Sequence, residues 1–190
     1  GRPGKPRSLC GGRGLPLAEA QQDAGHQPGL HQNEPEGKPR VEPSPRRAAQ
    51  EGYDAVTAYT WPSLGMTGEG MFGPYKTLIN GYRRQWEQLL DEFPLPLCPL
   101  PVSGGWDSRP WHGDNNLVRF GRTPELFKRH LREARQLLES GRLKSSNPQA
   151  ILVEACNEWG EGSYIEPRSE FGFGSLDALR EVFSGAPNSH

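Results

Sequence analysis

The chain has 190 residues and a formal net charge of −1, with 22 lysines and arginines against 23 aspartates and glutamates. This balance gives no electrostatic reason to expect a nucleic acid or an anionic membrane surface as the partner. No apolar run reaches the roughly 20 residues that a membrane-spanning helix needs. The cysteines are Cys10, Cys98 and Cys156, an odd number without a C-x-x-C pair, which argues against a disulfide framework or a zinc site and leaves the cellular compartment open.

Residues 1–50 differ in composition from the rest of the chain. They contain eight glycines and eight prolines but no Phe, Tyr, Trp, Ile or Met. Such a segment buries too little apolar surface to offset the entropy that ordering costs. We therefore expect residues 1–50 to be disordered or poorly ordered. The alternatives are a basic interaction tail and non-native sequence produced by a reading-frame slip.

The first ordered elements are expected from residue 51 onward. A strand is predicted over residues 53–59, and Tyr59 and Trp61 follow at its end. This aromatic pair is a candidate wall for a sugar-binding site; alternatively, the two rings cap the core. A helix is predicted over residues 74–92, because large apolar residues recur there at spacings of four, four and three.

Two further strand and helix pairs follow in chain order. A strand over residues 98–103 leads into a polar loop that contains Trp106 and Asp107. Thr123 and the proline after it then predict the start of a helix, since a threonine N-cap and a first-turn proline both favour one. The apolar run at residues 150–155 predicts the third strand. The last helix is predicted over residues 176–183.

This alternation of strands and helices is typical of parallel β/α units. Three such units are too few for a closed (β/α)8 barrel, which takes about 250 residues. We therefore predict an α/β fold, the incomplete C-terminal part of a (β/α)8 TIM barrel, over residues 51–185. Residues 1–50 form the disordered segment before it, and residues 186–190 a frayed tail. A chain that starts with glycine and holds part of a barrel is expected to be a fragment.

The densest polar pattern follows the third strand, as is typical of active-site loops in α/β proteins. Glu158 and Glu161 lie three residues apart, so a turn or a helical start would place both carboxyl groups on one side of the backbone. Two carboxyl groups that face one cleft are the usual means of breaking a glycosidic bond, one as the acid and the other as base or nucleophile. Alternatively, the pair lies on a solvated surface.

The side chains around this pair fit a sugar-binding site. Trp159 and Tyr164 offer aromatic faces on which the C–H faces of a sugar pack. Asn157 can hydrogen-bond a sugar hydroxyl or orient the first glutamate. Glu166 either contacts the ligand or makes a structural hydrogen bond. No cofactor is implied, and no metal either, because the spacing of the acids and the histidine after Trp106 fits no standard metal site.

The stretch Asn-Glu-Trp-Gly-Glu-Gly-Ser-Tyr-Ile-Glu-Pro at residues 157–167 resembles the signature of the glycoside hydrolase family 99-like domains. These domains are also called WbsX-type, after glycosyltransferases of polysaccharide clusters. The resemblance extends over Gly-Tyr-Asp-Ala-Val at residues 52–56 and Gly-Trp-Asp-Ser-Arg-Pro at residues 105–110. It covers residues 50–185, the last half of such a domain.

The resemblance implies a mechanism and a substrate cleft. It implies that Glu161 is the general acid/base and that Glu158 takes a proton from the sugar 2-hydroxyl, with retention of configuration. It also implies that the loop with Trp106 and Asp107 lines the cleft. The chain departs from the family pattern at Cys156, where a large aromatic residue is usual, and in having its arginine before the proline of the Gly-Trp-Asp segment.

We therefore predict an enzyme that cleaves glycosidic bonds of a glycan or polysaccharide with a pair of glutamates. The second hypothesis is a glycosyltransferase of surface polysaccharide synthesis, such as that of lipopolysaccharide or O-antigen. The absence of an Asp-x-Asp motif counts against a nucleotide-sugar donor for it. The third is an inactive carbohydrate-binding fragment. The partner in each case is a glycan, and the oligomeric state is left open.

Overall fold

The structure of the chain is a computed structural model that describes residues 18–19, 45–67, 71–92, 95–114, 116–143 and 150–184. Most of the segment predicted to be disordered, and the predicted tail at residues 186–190, therefore lie outside the described residues. Within residues 1–50 the structure describes a two-residue strand and a helix that ends at Gln50. Regular structure thus begins before residue 51.

The described residues form short strands and packed helices in alternation. The strands are β1 (Ala18–Glu19), β2 (Val56–Thr57), β3 (Phe72–Pro74), β4 (Leu100–Ser103), β5 (Val118–Phe120), β6 (Ile151–Glu154), β7 (Asn157–Glu158) and β8 (Ser163–Tyr164). The helices are α1 (Pro45–Gln50), α2 (Tyr75–Glu92), α3 (Arg109–His112), α4 (Pro124–Glu139) and α5 (Gly174–Phe183). The three predicted strands and three predicted helices correspond to β2, α2, β4, α4, β6 and α5.

The strands of the described segments pair two by two. The pairs β1–β2, β3–β5 and β4–β6 are parallel, whereas β7 and β8 form an antiparallel hairpin. In the β4–β6 pair the register places Ser103 opposite Glu154 at the carboxyl ends of both strands. The mixed α/β class is therefore confirmed. The barrel stays a prediction, because the described strands form separate pairs and not one continuous sheet.

The helices supply most of the core. Helix α2 buries one apolar face, on which Tyr75, Leu78, Tyr82 and Trp86 are at most 1% exposed. Helix α4 starts as predicted, since the Thr123 side chain accepts a hydrogen bond from the backbone N–H of Leu126 at 3.3 Å. Its buried face packs against α2, where His130 stacks on Trp86, and the helix also contacts α5. No helix in the described part of the chain is long and apolar enough to cross a membrane.

The short elements β3 and α3 are among those that were not predicted. Strand β3 lies in a stretch that reads as a glycine-rich loop, and it exists because its residues pair with β5. Helix α3 is a single turn inside the polar loop after β4. Elements of three or four residues carry too little periodicity to be seen in the sequence, and only tertiary pairing stabilises them.

Candidate active site

The loop after β6, residues 155–167, folds back on itself as a hairpin. Asn157 pairs with Tyr164 across β7 and β8, and a 3₁₀ turn over Trp159–Glu161 joins the two strands. Gly162 ends this turn at a φ of +63°, a left-handed conformation that favours glycine. A Cβ atom there would lie 2.6 Å from the backbone nitrogen of Asp107. The hairpin is therefore pressed against the loop that follows β4.

Hydrogen bonds hold this 155–167 loop to the strand ends. The backbone N–H of Asp107 donates to the carbonyl oxygen of Glu161 at 2.6 Å. The Ser163 hydroxyl donates to the carbonyl of Glu154 at 2.9 Å and accepts from the N–H of Ala155 at 3.1 Å. The glutamate side chains of the loop are thus placed by a backbone that is fixed on both sides.

A tyrosine that follows β2 contacts one of the two predicted glutamates. The Tyr59 hydroxyl donates to the Oε2 atom of Glu161 at 3.1 Å. The pKa of Tyr59 is raised well above its ordinary value, first by burial and then by the negative charges of Glu154, Glu161 and Glu158. The hydroxyl therefore keeps its proton and acts as a donor. We call Tyr59, Glu154, Glu158 and Glu161 the acidic cluster.

Glu154 is a member of this cluster that sequence reasoning missed. It is 2% exposed at the end of β6, and its Oε1 atom has no hydrogen-bond partner among the described residues. Burial is the main reason that its pKa is raised from 4.5 to about 7, and the charge of Glu161 raises it further. Hydrogen bonds from serine and threonine side chains, including Ser103, act in the opposite direction. The signal in the sequence is a glutamate that ends an apolar strand.

A cleft of about 360 Å³ opens beside the loop. Four predicted site residues line it, namely Trp106, Asp107, Trp159 and Tyr164. The rings of Trp159 and Tyr164 stack with their centroids 3.7 Å apart and their planes 16° from parallel. Trp159 is 46% exposed. The cleft therefore has an aromatic face that a sugar ring can reach.

The remaining predicted residues take different places. Glu166 accepts a hydrogen bond from the Trp159 indole N–H at 2.7 Å, which favours its structural role. Glu158 and Glu161 belong to the acidic cluster and are not among the described residues that line the cleft. Asn157 is exposed, and its backbone pairs with β8.

Trp61 lies in the core and not in a wall with Tyr59. It is 4% exposed, and its ring centroid is 5.3 Å from that of Tyr82. Its backbone N–H donates to the Tyr82 hydroxyl at 2.9 Å. The chain leaves β2 in a direction that exposes Tyr59 and buries Trp61, so the structure favours the alternative in which Trp61 caps the core.

The predicted Gly-Trp-Asp segment holds an ion pair at the mouth of the cleft. The Arg109 guanidinium donates to both carboxylate oxygens of Asp107, at 2.8 and 2.6 Å. These hydrogen bonds hold the pKa of Asp107 below its usual range. The described residues contain no group of three or more His, Cys, Asp or Glu side chains placed to hold a metal ion.

Comparison with known proteins identifies the family. The family model described as "Glycosyltransferase WbsX" matches residues 23–179 of the chain. The chain belongs to this family. The resemblance drawn from the residue motifs is therefore confirmed, and the match begins earlier in the chain than residue 50. The WbsX family is carbohydrate-active, and membership alone does not separate glycosidase from glycosyltransferase activity.

Two similar proteins come from two strains of Xanthomonas campestris pv. campestris, and both are named "Uncharacterized protein WxcX". Each is 29% identical to the WbsX-family chain over 87 residues, which is 46% of this chain and 12% of the relative. The match therefore spans about an eighth of the length of these relatives. A solved structure named "Glycoside hydrolase-like protein" aligns with 69% of this chain and 38% of its own, with a TM-score of 0.45 and 21% identity.

Proposed function

We propose that the chain carries the acid/base loop of an enzyme that cleaves glycosidic bonds of a glycan or polysaccharide. The observation that carries the proposal is the Tyr59–Glu161 hydrogen bond within a cluster of three glutamates, beside a cleft with an exposed aromatic pair. Glycoside cleavage needs one carboxyl group that is protonated and another that is ionised. The acidic cluster supplies carboxyl groups in different surroundings, with Glu154 at the end of β6 and Glu158 and Glu161 on the loop that follows it.

In this proposal Glu161 is the general acid/base and Glu158 its partner. The hydrogen bond from Tyr59 fixes the Glu161 carboxylate in one orientation, as acid–base transfer requires. Buried Glu154, with a pKa raised to about 7, holds a proton over part of the neutral range. Its protonation lowers the negative charge near Glu161, so that three ionised carboxylates do not repel one another. Trp159 and Tyr164 would orient the sugar.

We also propose that the parallel pairs belong to a (β/α)8 barrel that is incomplete in this chain. The support is the β4–β6 register, which brings the carboxyl ends of both strands to one edge. The loop with Asp107 follows β4 there, and the 155–167 loop follows β6. Active sites of such barrels lie at that edge.

The test is sugar release from a panel of α- and β-linked glycans by the chain and its variants. We expect Glu161→Gln and Glu158→Gln each to lower kcat by roughly a hundredfold or more, because each removes a proton-transferring group. Glu87→Gln, on the exposed side of α2, is the matched control and should leave kcat unchanged. Release that neither substitution affects would remove the pair from the mechanism.

A glycosyltransferase of surface polysaccharide synthesis is the second candidate, because the matching family carries that description. This candidate predicts that a sugar is transferred from an activated donor to an acceptor and that little free sugar is released by hydrolysis. The same variants should then lose transfer to an acceptor glycan, measured with nucleotide-linked and lipid-linked sugars. Glycan binding without release or transfer would favour an inactive binding module.

A further inference from the structure

The cleft beside the acidic cluster is rich in arginine. Among the described residues that line it are Arg119, Arg122 and Arg168. Arg119 is almost fully buried and donates to the carbonyl oxygens of Pro62 and Leu64 and to a threonine hydroxyl. These acceptors are neutral, so the charge of Arg119 is not cancelled by an ion pair, although each of its three guanidinium nitrogens donates one hydrogen bond.

Arg122 has donor nitrogens without a hydrogen-bond acceptor in the described residues. Its Nη1 atom donates to the carbonyl oxygens of Gly104 and Tyr164, and its guanidinium carbon lies 4.6 Å from the centre of the Tyr164 ring. Its Nε and Nη2 atoms find no acceptor among the described residues. Burial lowers the pKa of Arg122, and the positive charge of Arg168 lowers it further. Arg122 is thus a partly desolvated cation next to a like charge.

Arg168 contacts the same tyrosine. Its guanidinium carbon lies 5.6 Å from the Tyr164 ring centre, and its Nη1 atom donates to the Tyr164 hydroxyl at 3.1 Å. Its Nη2 atom lies 3.2 Å from a carboxylate oxygen of Glu170, while its Nε atom is buried without a partner in the described residues. Two guanidinium groups therefore converge on one aromatic ring at the cleft.

The carboxylates of the cleft do not balance these cations. Those that line it in the described residues are Asp107 and Glu170. Asp107 accepts hydrogen bonds from the Nε and Nη2 atoms of Arg109, and Glu170 pairs with Arg168. Arg122 has no carboxylate hydrogen-bond partner in the described part of the chain, and the charge of Glu170 offsets less of its pKa shift than burial and Arg168 produce. A partly buried charge without a hydrogen-bonded counter-charge is costly, and a bound anion would stabilise it.

These contacts define the chemistry of the ligand. A guanidinium fork fits the two oxygens of a carboxylate or a phosphate, and the exposed side of Trp159, whose other face stacks on Tyr164, fits the face of a sugar. The volume of about 360 Å³ is enough for a small ligand. We infer that the cleft binds a sugar that carries an anionic group, a carboxylate or a phosphate, through Arg122 and the Trp159–Tyr164 pair. This inference rests on the proposed function, since it names the substrate class of that site.

Calorimetric titration of the chain with matched probes tests the inference. The probes are oligosaccharides of equal length that end in glucose, in glucuronate or in glucose 6-phosphate, together with inorganic phosphate. We expect one or both anionic sugars to bind roughly tenfold more tightly than the neutral one, which is about 1.4 kcal/mol, because a hydrogen bond to a charged group is stronger than one between neutral groups. The preference should shrink when salt is raised. The arm that binds more tightly identifies the anion.

Arg122→Gln should abolish this preference, and Arg122→Lys should retain only part of it, because lysine keeps the charge without the fork. Arg142→Gln is the matched control, since exposed Arg142 pairs with Asp91 at 3.3 Å outside the cleft. If Arg122→Gln does not fold, the titrations of the wild type and of Arg122→Lys still test the inference.

Four results would overturn the inference. Equal affinity for neutral and anionic sugars would do so while leaving the proposed function in place. A preference that persists in Arg122→Gln would assign the anion to other residues. Binding of inorganic phosphate as tight as that of the sugar phosphate would deny any role for the sugar. If the chain binds none of the oligosaccharides, both the inference and the proposed function are overturned.

Discussion

At the residue scale, Glu154 makes a prediction about stability. Its carboxyl keeps its proton up to a pH of about 7 in the folded chain but loses it near 4.5 when exposed. Unfolding therefore releases a proton between these values, and the contribution of Glu154 to the free energy of unfolding falls as the pH rises through this window, by at most about 3 kcal/mol. Glu154→Gln should remove this contribution, so that the free energy of unfolding at pH 7.5 minus that at pH 5, measured by urea denaturation, becomes more positive than in the wild type.

The control for this measurement is Glu87→Gln, which alters an exposed glutamate of α2. It should keep the wild-type difference between pH 5 and pH 7.5. A Glu154→Gln variant with the same difference as the wild type would show that burial at the end of β6 does not hold the proton on this carboxyl.

Tyr59 makes a second prediction at this scale. Removing its hydroxyl with Tyr59→Phe takes away the donor at 3.1 Å from Glu161. We expect kcat for glycan cleavage to fall roughly tenfold, because the acid/base carboxylate loses its orientation. Stability should hardly change, since the bond lies in an exposed position. Tyr53→Phe, at a ring that packs on the core, is the control, and an equal loss of activity in both variants would contradict a specific role for Tyr59.

At the element scale, the hairpin of the 155–167 loop depends on Gly162. Gly162→Ala would place a methyl group 2.6 Å from the backbone of Asp107 at a φ of +63°. Gly141→Ala is the matched control, because its φ is +70° and a Cβ atom there has nothing within 4 Å. The left-handed conformation alone should cost about 1 kcal/mol at either position.

The difference between these two variants isolates the clash with Asp107. We expect Gly162→Ala to lose at least about 1 kcal/mol more in the free energy of unfolding than Gly141→Ala, together with most of the glycan-cleaving activity. Thermal and urea denaturation would measure the first and sugar release the second. Equal losses in both variants would show that the hairpin does not need its close approach to the loop after β4.

The elements also show what the sequence can and cannot predict. Helix α4 carries its own signals, a threonine cap, a first-turn proline and an apolar face, so its bounds follow from local chemistry. Strand β3 has no such signal, because it is formed by pairing with β5, more than 40 residues later. The local motif of the 155–167 loop was likewise readable, since its residues are neighbours in the chain.

The surroundings of that motif depend on contacts between distant parts of the chain. Tyr59 and Glu161 are 102 residues apart, and Ser103 and Glu154 are 51 apart. Whether Tyr59 or Trp61 faces the site is decided by how the chain leaves β2 and packs on α2. A buried glutamate in an apolar strand reads as part of the core until the fold shows what lies beside it.

For the whole molecule, His130 and Glu154 act on stability in opposite directions. His130 is fully buried in the core, stacks on Trp86 with centroids 5.4 Å apart, and accepts a hydrogen bond from the N–H of Ser103. Burial lowers its pKa from 6.5 to about 3. Between pH 3 and 6.5 the unfolded chain therefore binds a proton at this histidine, whereas the folded chain does not. Stability from this group is complete above pH 6.5 and is lost as the pH falls toward 3.

The two windows overlap between pH 4.5 and 6.5, where the contribution of His130 rises with pH and that of Glu154 falls. Since each group binds or releases one proton, the two slopes cancel there. We expect the free energy of unfolding to be nearly flat over this range and to decrease on both sides of it. Asp107, whose pKa is held below 3.8 by Arg109, adds to the loss at the acid end.

Urea denaturation at half-unit steps from pH 3.5 to 8 measures this profile, and two variants separate its parts. His130→Gln lowers stability at every pH through lost packing. It should also remove the His130 contribution that rises with pH, so that the free energy of unfolding falls steadily from pH 4.5 to 7. Glu154→Gln should instead give a free energy of unfolding that continues to rise up to pH 6.5. The slope of the free energy of unfolding against pH, and not its absolute value, tests the prediction, because a packing defect lowers this free energy equally at every pH. A wild-type profile that rises throughout this range, unchanged in slope by Glu154→Gln, would show that His130 and surface groups alone set the pH dependence.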